Sequence, residues 1–264
     1  FEANLAGTDS EIKPESQDTL TSNLTLDLEN ESFTMDMGMT SYETLSGPRS
    51  DSFQYILPYY NFYKKLPNSK YGTLSFSSKG NNNLKDTNNL KTSINNDFNF
   101  KTFDYISNFG IKSNFGVHFK NVNTSAKNDT VYKSSLQSEL MSIVNFASSL
   151  PLIKETKNYF NSLTPKLSLR MNPTDMKNYS DSEREINTGN IFAINRLGLD
   201  NTLEEGRSLT IGIDYKTEKL KEINKFFELN LGTIFRDKIE NRIPTTSTID
   251  QKSSNIFGSA TYGL

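Results

Sequence analysis

A chain of 264 residues has room for one large β domain or two ordinary ones, so length leaves the architecture open. Hydrophobic residues make up only 34% while 18 Phe and 12 Tyr keep the aromatic share high, a balance that argues against disorder and fits polar surface on two sides with apolar surface confined to a band. With 29 basic against 31 acidic residues there is no single-signed field to attract nucleic acid, and the lack of cysteine removes both a disulfide framework and a thiolate metal site from this span.

The opening residues 1–19 are acidic and rich in Ser and Thr, unlike a signal peptide, and read as an irregular segment. From Leu20 the period becomes two. Leu24, Leu26 and Leu28 alternate with Thr25 and Asp27, and Phe33, Met35, Met37 and Met39 alternate with Thr34 and Asp36. A two-residue turn at Asn30 and Glu31 would set Leu28 against Phe33, Leu26 against Met35 and Leu24 against Met37, all on one face of a hairpin. The same dyad follows in Leu90 to Phe100, Phe109 to Phe119, Leu163 to Met171, Leu209 to Tyr215 and Phe227 to Phe235.

The pattern predicts roughly eleven strands, near 20–29, 32–42, 52–63, 71–79, 89–102, 109–120, 134–154, 161–171, 206–216, 226–237 and 254–264. Pro151 falls inside the seventh and cannot donate to a ladder, so a strand end or bulge is expected there. Strands of roughly ten residues exceed the usual globular length and match what a tilted strand needs to cross a bilayer. Short and long connections mostly take turns along the chain, as in an outer-membrane barrel with tight turns on one side and long loops on the other. A stretch such as "KGNNNLKDTNN" reads as a solvated loop. Period alone does not separate a membrane barrel from a soluble all-β binding protein, whose apolar face turns inward. Strand length, loop asymmetry and aromatics near strand ends (Phe119, Tyr215, Phe227, Phe235) favour the membrane. The expected fold is therefore all-β, an antiparallel up-and-down transmembrane β-barrel of which this chain is a part. A porin-like passive diffusion channel remains an alternative of the same architecture.

In that frame Asp27, Asp36, Asn95, Asp97, Asn99, His118, Lys166, Arg170 and Asp214 are candidates for the wet, lumen-facing wall. His118 is the single histidine, and its neighbours Lys112, Asn114 and Lys120 are poor company for a metal. No catalytic residue, metal site or cofactor is expected. The longest connection, 172–205, contains "NIFAINRLGLDNTLEEG", where Ile191, Phe192, Ile194, Leu197 and Leu199 cluster beside Arg196, Asp200, Glu204 and Glu205. Acid-base chemistry there is outweighed by an Arg–carboxylate network that pins the loop. Asn195, Arg196, Asp200, Glu205 and Gly206 are the candidates, with Arg196 paired to Asp200 or Glu205.

Three stretches, "SLPLIKETKNYFNSLTPKLSLRMNP" (Ser149 to Pro173), "NIFAINRLGLDNTLEEGRSLTIGIDY" (Asn190 to Tyr215) and "IPTTSTIDQKSSNIFG" (Ile243 to Gly258), resemble the barrel of the LptD family of lipopolysaccharide-assembly outer-membrane proteins, in particular its alphaproteobacterial members. "FQYILPYYNFY" (Phe53 to Tyr63) resembles an earlier strand of that barrel. The resemblance implies a bacterial outer-membrane location, a very large barrel that works as a translocon rather than an enzyme, and lipopolysaccharide and membrane lipids as partners. It also implies an LptE-like plug lipoprotein in many members, and a periplasmic domain that meets lipopolysaccharide-bridge proteins. Residues 1–264 then form part of the barrel domain. No periplasmic domain is recognisable in this span, and the end at "ATYGL" reads as mid-strand, as in a central fragment without its seam strands.

Overall fold

The computed structural model describes residues 19–44, 53–67, 69–85, 88–129 and 132–263. The expected irregular segment at 1–19 lies, but for Thr19, outside the described residues, as does most of the connection expected at 43–51. Among the described residues no helix is long and apolar enough to cross a membrane, which says nothing about crossing by strands.

Among the described residues thirteen strands follow in chain order: β1 (Thr19–Asn30), β2 (Phe33–Thr44), β3 (Phe53–Lys65), β4 (Gly72–Lys85), β5 (Asn89–Thr102), β6 (Tyr105–Ile106), β7 (Lys112–Lys127), β8 (Gln137–Ser149), β9 (Leu152–Glu155), β10 (Tyr159–Asn172), β11 (Gly206–Lys219), β12 (Glu222–Arg236) and β13 (Phe257–Gly263). Eleven of them form one continuous order, β1-β2-β3-β4-β5-β7-β8-β10-β11-β12-β13, while β6 pairs with β7 and β9 with β10. Apart from the short β6 and β9, successive strands of the chain are neighbours in the sheet, the signature of an up-and-down antiparallel sheet such as a barrel wall. β6 arises inside the expected 103–108 connection. β9 is the part of the expected seventh strand beyond Pro151, where the ladder breaks and Leu150 donates to the Pro165 carbonyl instead.

Several elements run longer than expected. β11 and β12 meet at a turn of Leu220 and Lys221 alone, where the sequence suggested a connection over 217–225. The charged residues there stay in strand conformation because they pair: Glu222 takes both Lys219 and Lys225. "KGNNNLKDTNN" likewise places Gly80 to Lys85 in β4, since Asn82 accepts from Thr92 and Asn83 from Gln54 on flanking strands. Asparagine favours turns when its amide finds its own backbone. Here cross-strand partners win.

The first turn is corrected too. It is formed by Glu31 and Ser32, so Asn30 faces Phe33, Leu28 faces Met35, Leu26 faces Met37 and Leu24 faces Met39. Moving the turn by one residue shifts each partner by two. The side-chain faces therefore survive, and every leucine now meets a methionine. The β2–β3 ladder skips Met39, opposite the stretch where Pro58 offers no N–H.

The chain forms two compact units. Of the described residues, one contains those up to Lys65, Phe76–Asn96 and Asn121–Glu139; the other contains those of Leu66–Ser75, Asp97–Lys120 and from Leu140 onward. In the first unit a row of side-chain hydrogen bonds runs from Tyr60 through Ser78, Asn96 and Asn121 to Ser138, linking five strands. In the second, the 33-residue connection between β10 and β11 and the connection between β12 and β13 build a core of their own. Met176, Ile186, Ile191, Leu197 and Leu199 from the first connection and Ile243 and Ile249 from the second close over Ile234 of β12, all at most 4% exposed. Each fully buried Leu or Ile is worth about 1.5–3 kcal/mol, enough together to order two long segments that have almost no regular structure.

Candidate functional site

Beneath that core lies the most concentrated group of charges in the second unit. Along β10, β11 and β12 one face presents Arg170, Ser208, Thr210 and Arg236, every other position of its strand and all buried. These groups cannot remain unpaired out of water. Glu204, the penultimate residue of the long connection, is their common partner. Its Oε1 lies 2.5 Å from Arg196 Nη2, 2.5 Å from Arg236 Nη1 and 3.1 Å from Arg170 Nη1, and its Oε2 accepts from Arg196 Nε at 2.8 Å. The Arg196–Glu204 contact is a bidentate fork, the geometry in which a guanidinium binds a carboxylate most strongly. Arg196 also donates to Thr210 Oγ1 and Ser208 Oγ, so it joins the loop to β11.

Three cations around one carboxylate leave positive charge over, and backbone oxygens absorb it. Arg170 donates to the carbonyls of Ile194 and Glu204, and Arg236 to that of Glu205. Burial by itself would raise the Glu204 carboxyl, but the arginines outweigh it and hold it far below the usual carboxylate range. Glu205 is opposed by burial in the same way and is lowered by the Met176 N–H, Lys238 and Arg242. Its Oε2 accepts from Met176 N at 3.1 Å and Arg242 Nη1 at 2.9 Å, which ties the start of one long connection to the middle of the other. Gly206 follows at φ +85, and a Cβ there would stand 3.0 Å from Arg236 Nη2, so glycine is needed both for the backbone and for the guanidinium.

The sequence candidates are distributed as follows. Asn195, Arg196, Glu205 and Gly206 all lie at this cluster or beside it, and Asn195 Oδ1 is buried with no hydrogen-bond partner among the described residues. Arg196 pairs with Glu204, not with Asp200 or Glu205. Asp200 contributes its backbone carbonyl, which accepts from Lys120 Nζ at 3.1 Å. Glu204, as hub, and Arg236 were missed. A carboxylate beside another carboxylate in an irregular loop carries no mark in sequence of which one turns inward, and Arg236 stands 32 residues away on a different strand.

Of the wall candidates, Asp27 lies directly opposite Asp36, which accepts from Asn61, and Asn95 is buried. Asp97 receives His118 Nε2 at 2.6 Å and Lys120 Nζ at 2.7 Å, so the single histidine is a carboxylate partner on a buried polar face. Lys166 pairs with Asp214 across β10 and β11, and Arg170 belongs to the Glu204 cluster. Asn99 and Lys166 both line a cavity of about 620 Å³ bounded by β5, β7, β8 and β10 and roofed by Phe192, Ala193 and Ile194 of the long connection. Among the described residues no group of His, Cys, Asp or Glu is arranged to hold a metal ion.

An antiparallel up-and-down sheet of long strands, with an exposed apolar face in one part and a polar face covered by long loops in another, has the architecture of a β-barrel wall. Residues 7–264 match the family model of LptD, described as LPS transport system D, and the chain belongs to that family. No individual curated protein matches it. Lipopolysaccharide transport and assembly at the outer membrane is therefore the setting in which this chain works, as a transport or assembly component.

Proposed function

We propose that the chain forms part of the outer-membrane translocon that inserts lipopolysaccharide into the outer leaflet, with its polar face along the path of the sugars and its apolar face toward lipid. The family match over nearly the whole chain carries this reading. Support comes from the two faces of the sheet, one with Leu24, Leu26 and Met39 open and the other with His118, Arg170 and Arg236 withdrawn from solvent. An LptE-like plug lipoprotein and periplasmic lipopolysaccharide-bridge proteins would be its partners.

The long connections over the arginine cluster act as a fixed cover of the passage. Depleting the full-length protein tests the reading: newly made lipopolysaccharide stops reaching the cell surface, as followed by modification with an outer-leaflet enzyme. Unchanged surface arrival together with reduced uptake of small polar solutes would make the protein a diffusion channel instead.

A further inference from the structure

The cavity under Phe192 differs from the arginine cluster beside it in one respect that points to a ligand. In the cluster the guanidinium groups face a carboxylate or backbone oxygens. In the cavity, Lys101 and Lys112 have no ion pair among the described residues, while the one lining carboxylate, Asp104, accepts from Asn114 Nδ2 at 2.8 Å. A third lysine, Lys166, is held by Asp214 with its ammonium 5.5 Å from the centre of the Phe192 ring. The remaining wall offers amides and hydroxyls, among them Asn99 and Asn145. The roof is pre-set, because Phe192 lies against Gly212, where a Cβ would come within 2.8 Å of the ring.

Unpaired ammonium groups, amides that both donate and accept, and an immobilised aromatic ring match one ligand chemistry. A sugar ring presents hydroxyls to the amides and its C–H face to the aromatic, and a phosphate or carboxylate on it meets the lysines. A volume of about 620 Å³ accommodates a sugar unit with its anionic group. We propose that this cavity is a subsite for an anionic saccharide, one that holds the charged sugars of the glycolipid during passage. The proposal rests on the transport reading above and goes further by naming the residues and the charged group.

The test is photo-crosslinking in living cells with the full-length protein. Benzoylphenylalanine replaces Asn99 on the cavity wall, Phe98 one position along on the opposite face, or Asp36 on the polar face of β2. Lipopolysaccharide crosslinks at Asn99 and not at Phe98, and Lys101→Gln with Lys112→Gln lowers the Asn99 crosslink at least fivefold. Lys101→Arg with Lys112→Arg restores it. Both lysines are exposed, and heat-modifiable migration on gels confirms that the variants fold. An Asn99 crosslink that persists unchanged in the glutamine variant overturns the anion subsite. Crosslinks at Asp36 but none at Asn99 overturn the proposal while leaving the transport reading intact. No crosslink at either polar position, with normal lipopolysaccharide export after depletion, removes both.

Discussion

The β1–β2 hairpin and the β10–β12 sheet share a period of two and differ in everything stacked upon it. In the hairpin Leu24, Leu26 and Leu28 are 70%, 53% and 43% exposed, and on the other face Asp27 is exposed and Asp36 only half-buried. In β10–β12 the apolar face is equally open at Leu169 and Phe235, yet the polar face is sealed by two long connections over a charged cluster. Alternation thus sets which face is polar. Whether that face is wet or buried is decided by what the loops bring to it.

Breaking the hub should separate the two regions most sharply. Glu204→Gln leaves three guanidinium groups buried without their carboxylate, a change that costs about 3–5 kcal/mol. In the folded full-length protein, trypsin then cuts at Lys177 or Arg184 while the β1–β2 region stays protected, and unaltered protection of 173–205 would show that the cluster does not hold the loop. Arg196→Ala acts in the same direction and raises entry of large antibiotics into cells. Unchanged permeability there would mean the cover does not limit passage.

The opposite face is probed by Leu26→Arg. If the leucines meet lipid, a cation there costs about 2–4 kcal/mol of folding into vesicles. A heat-modifiable folding assay reads this, and a fully tolerated arginine would place the face away from the bilayer. Gly212→Ala is next in size: a Cβ would meet the Leu231 carbonyl at 2.7 Å and Phe192 Cζ at 2.8 Å. Such overpacking costs about 1–3 kcal/mol, and hydrogen exchange should quicken at 190–194 without change in β1.

The smallest effect is that of Lys238→Ala, whose side chain is 56% exposed beside Glu205 and Glu240. Only a slight loosening of 238–242 is expected, and less in high salt, because an exposed pair is screened by solvent and ions. Acid is the complementary probe. Glu204 and Glu205 are both lowered in the folded state, so their contribution is complete above the unfolded value of about 4.3 and is lost as pH falls through the lower folded values. Hydrogen-exchange protection of the long connections should be flat from about pH 7 to about 5 and decline below about 4. β1 and β2, which hold no such cluster among their described residues, should not follow it.

The sequence by itself determined the strands, since side chains on a strand alternate whatever the chain does elsewhere: β5 falls at 89–102 as expected, and the eleven strands of the continuous order match the eleven expected segments. It also marked "NIFAINRLGLDNTLEEG" as the place of an Arg–carboxylate network, because apolar residues and charges cluster there within one irregular connection. Tertiary structure alone decided which carboxylate becomes the hub. Glu204 and Glu205 are adjacent and chemically alike, and only the meeting of β10, β11 and β12 with the loop places three arginines around the first. It likewise decided that "GNNNLK" is strand, because the Thr92 hydroxyl and Gln54 amide that satisfy Asn82 and Asn83 belong to neighbouring strands that a linear reading does not bring together.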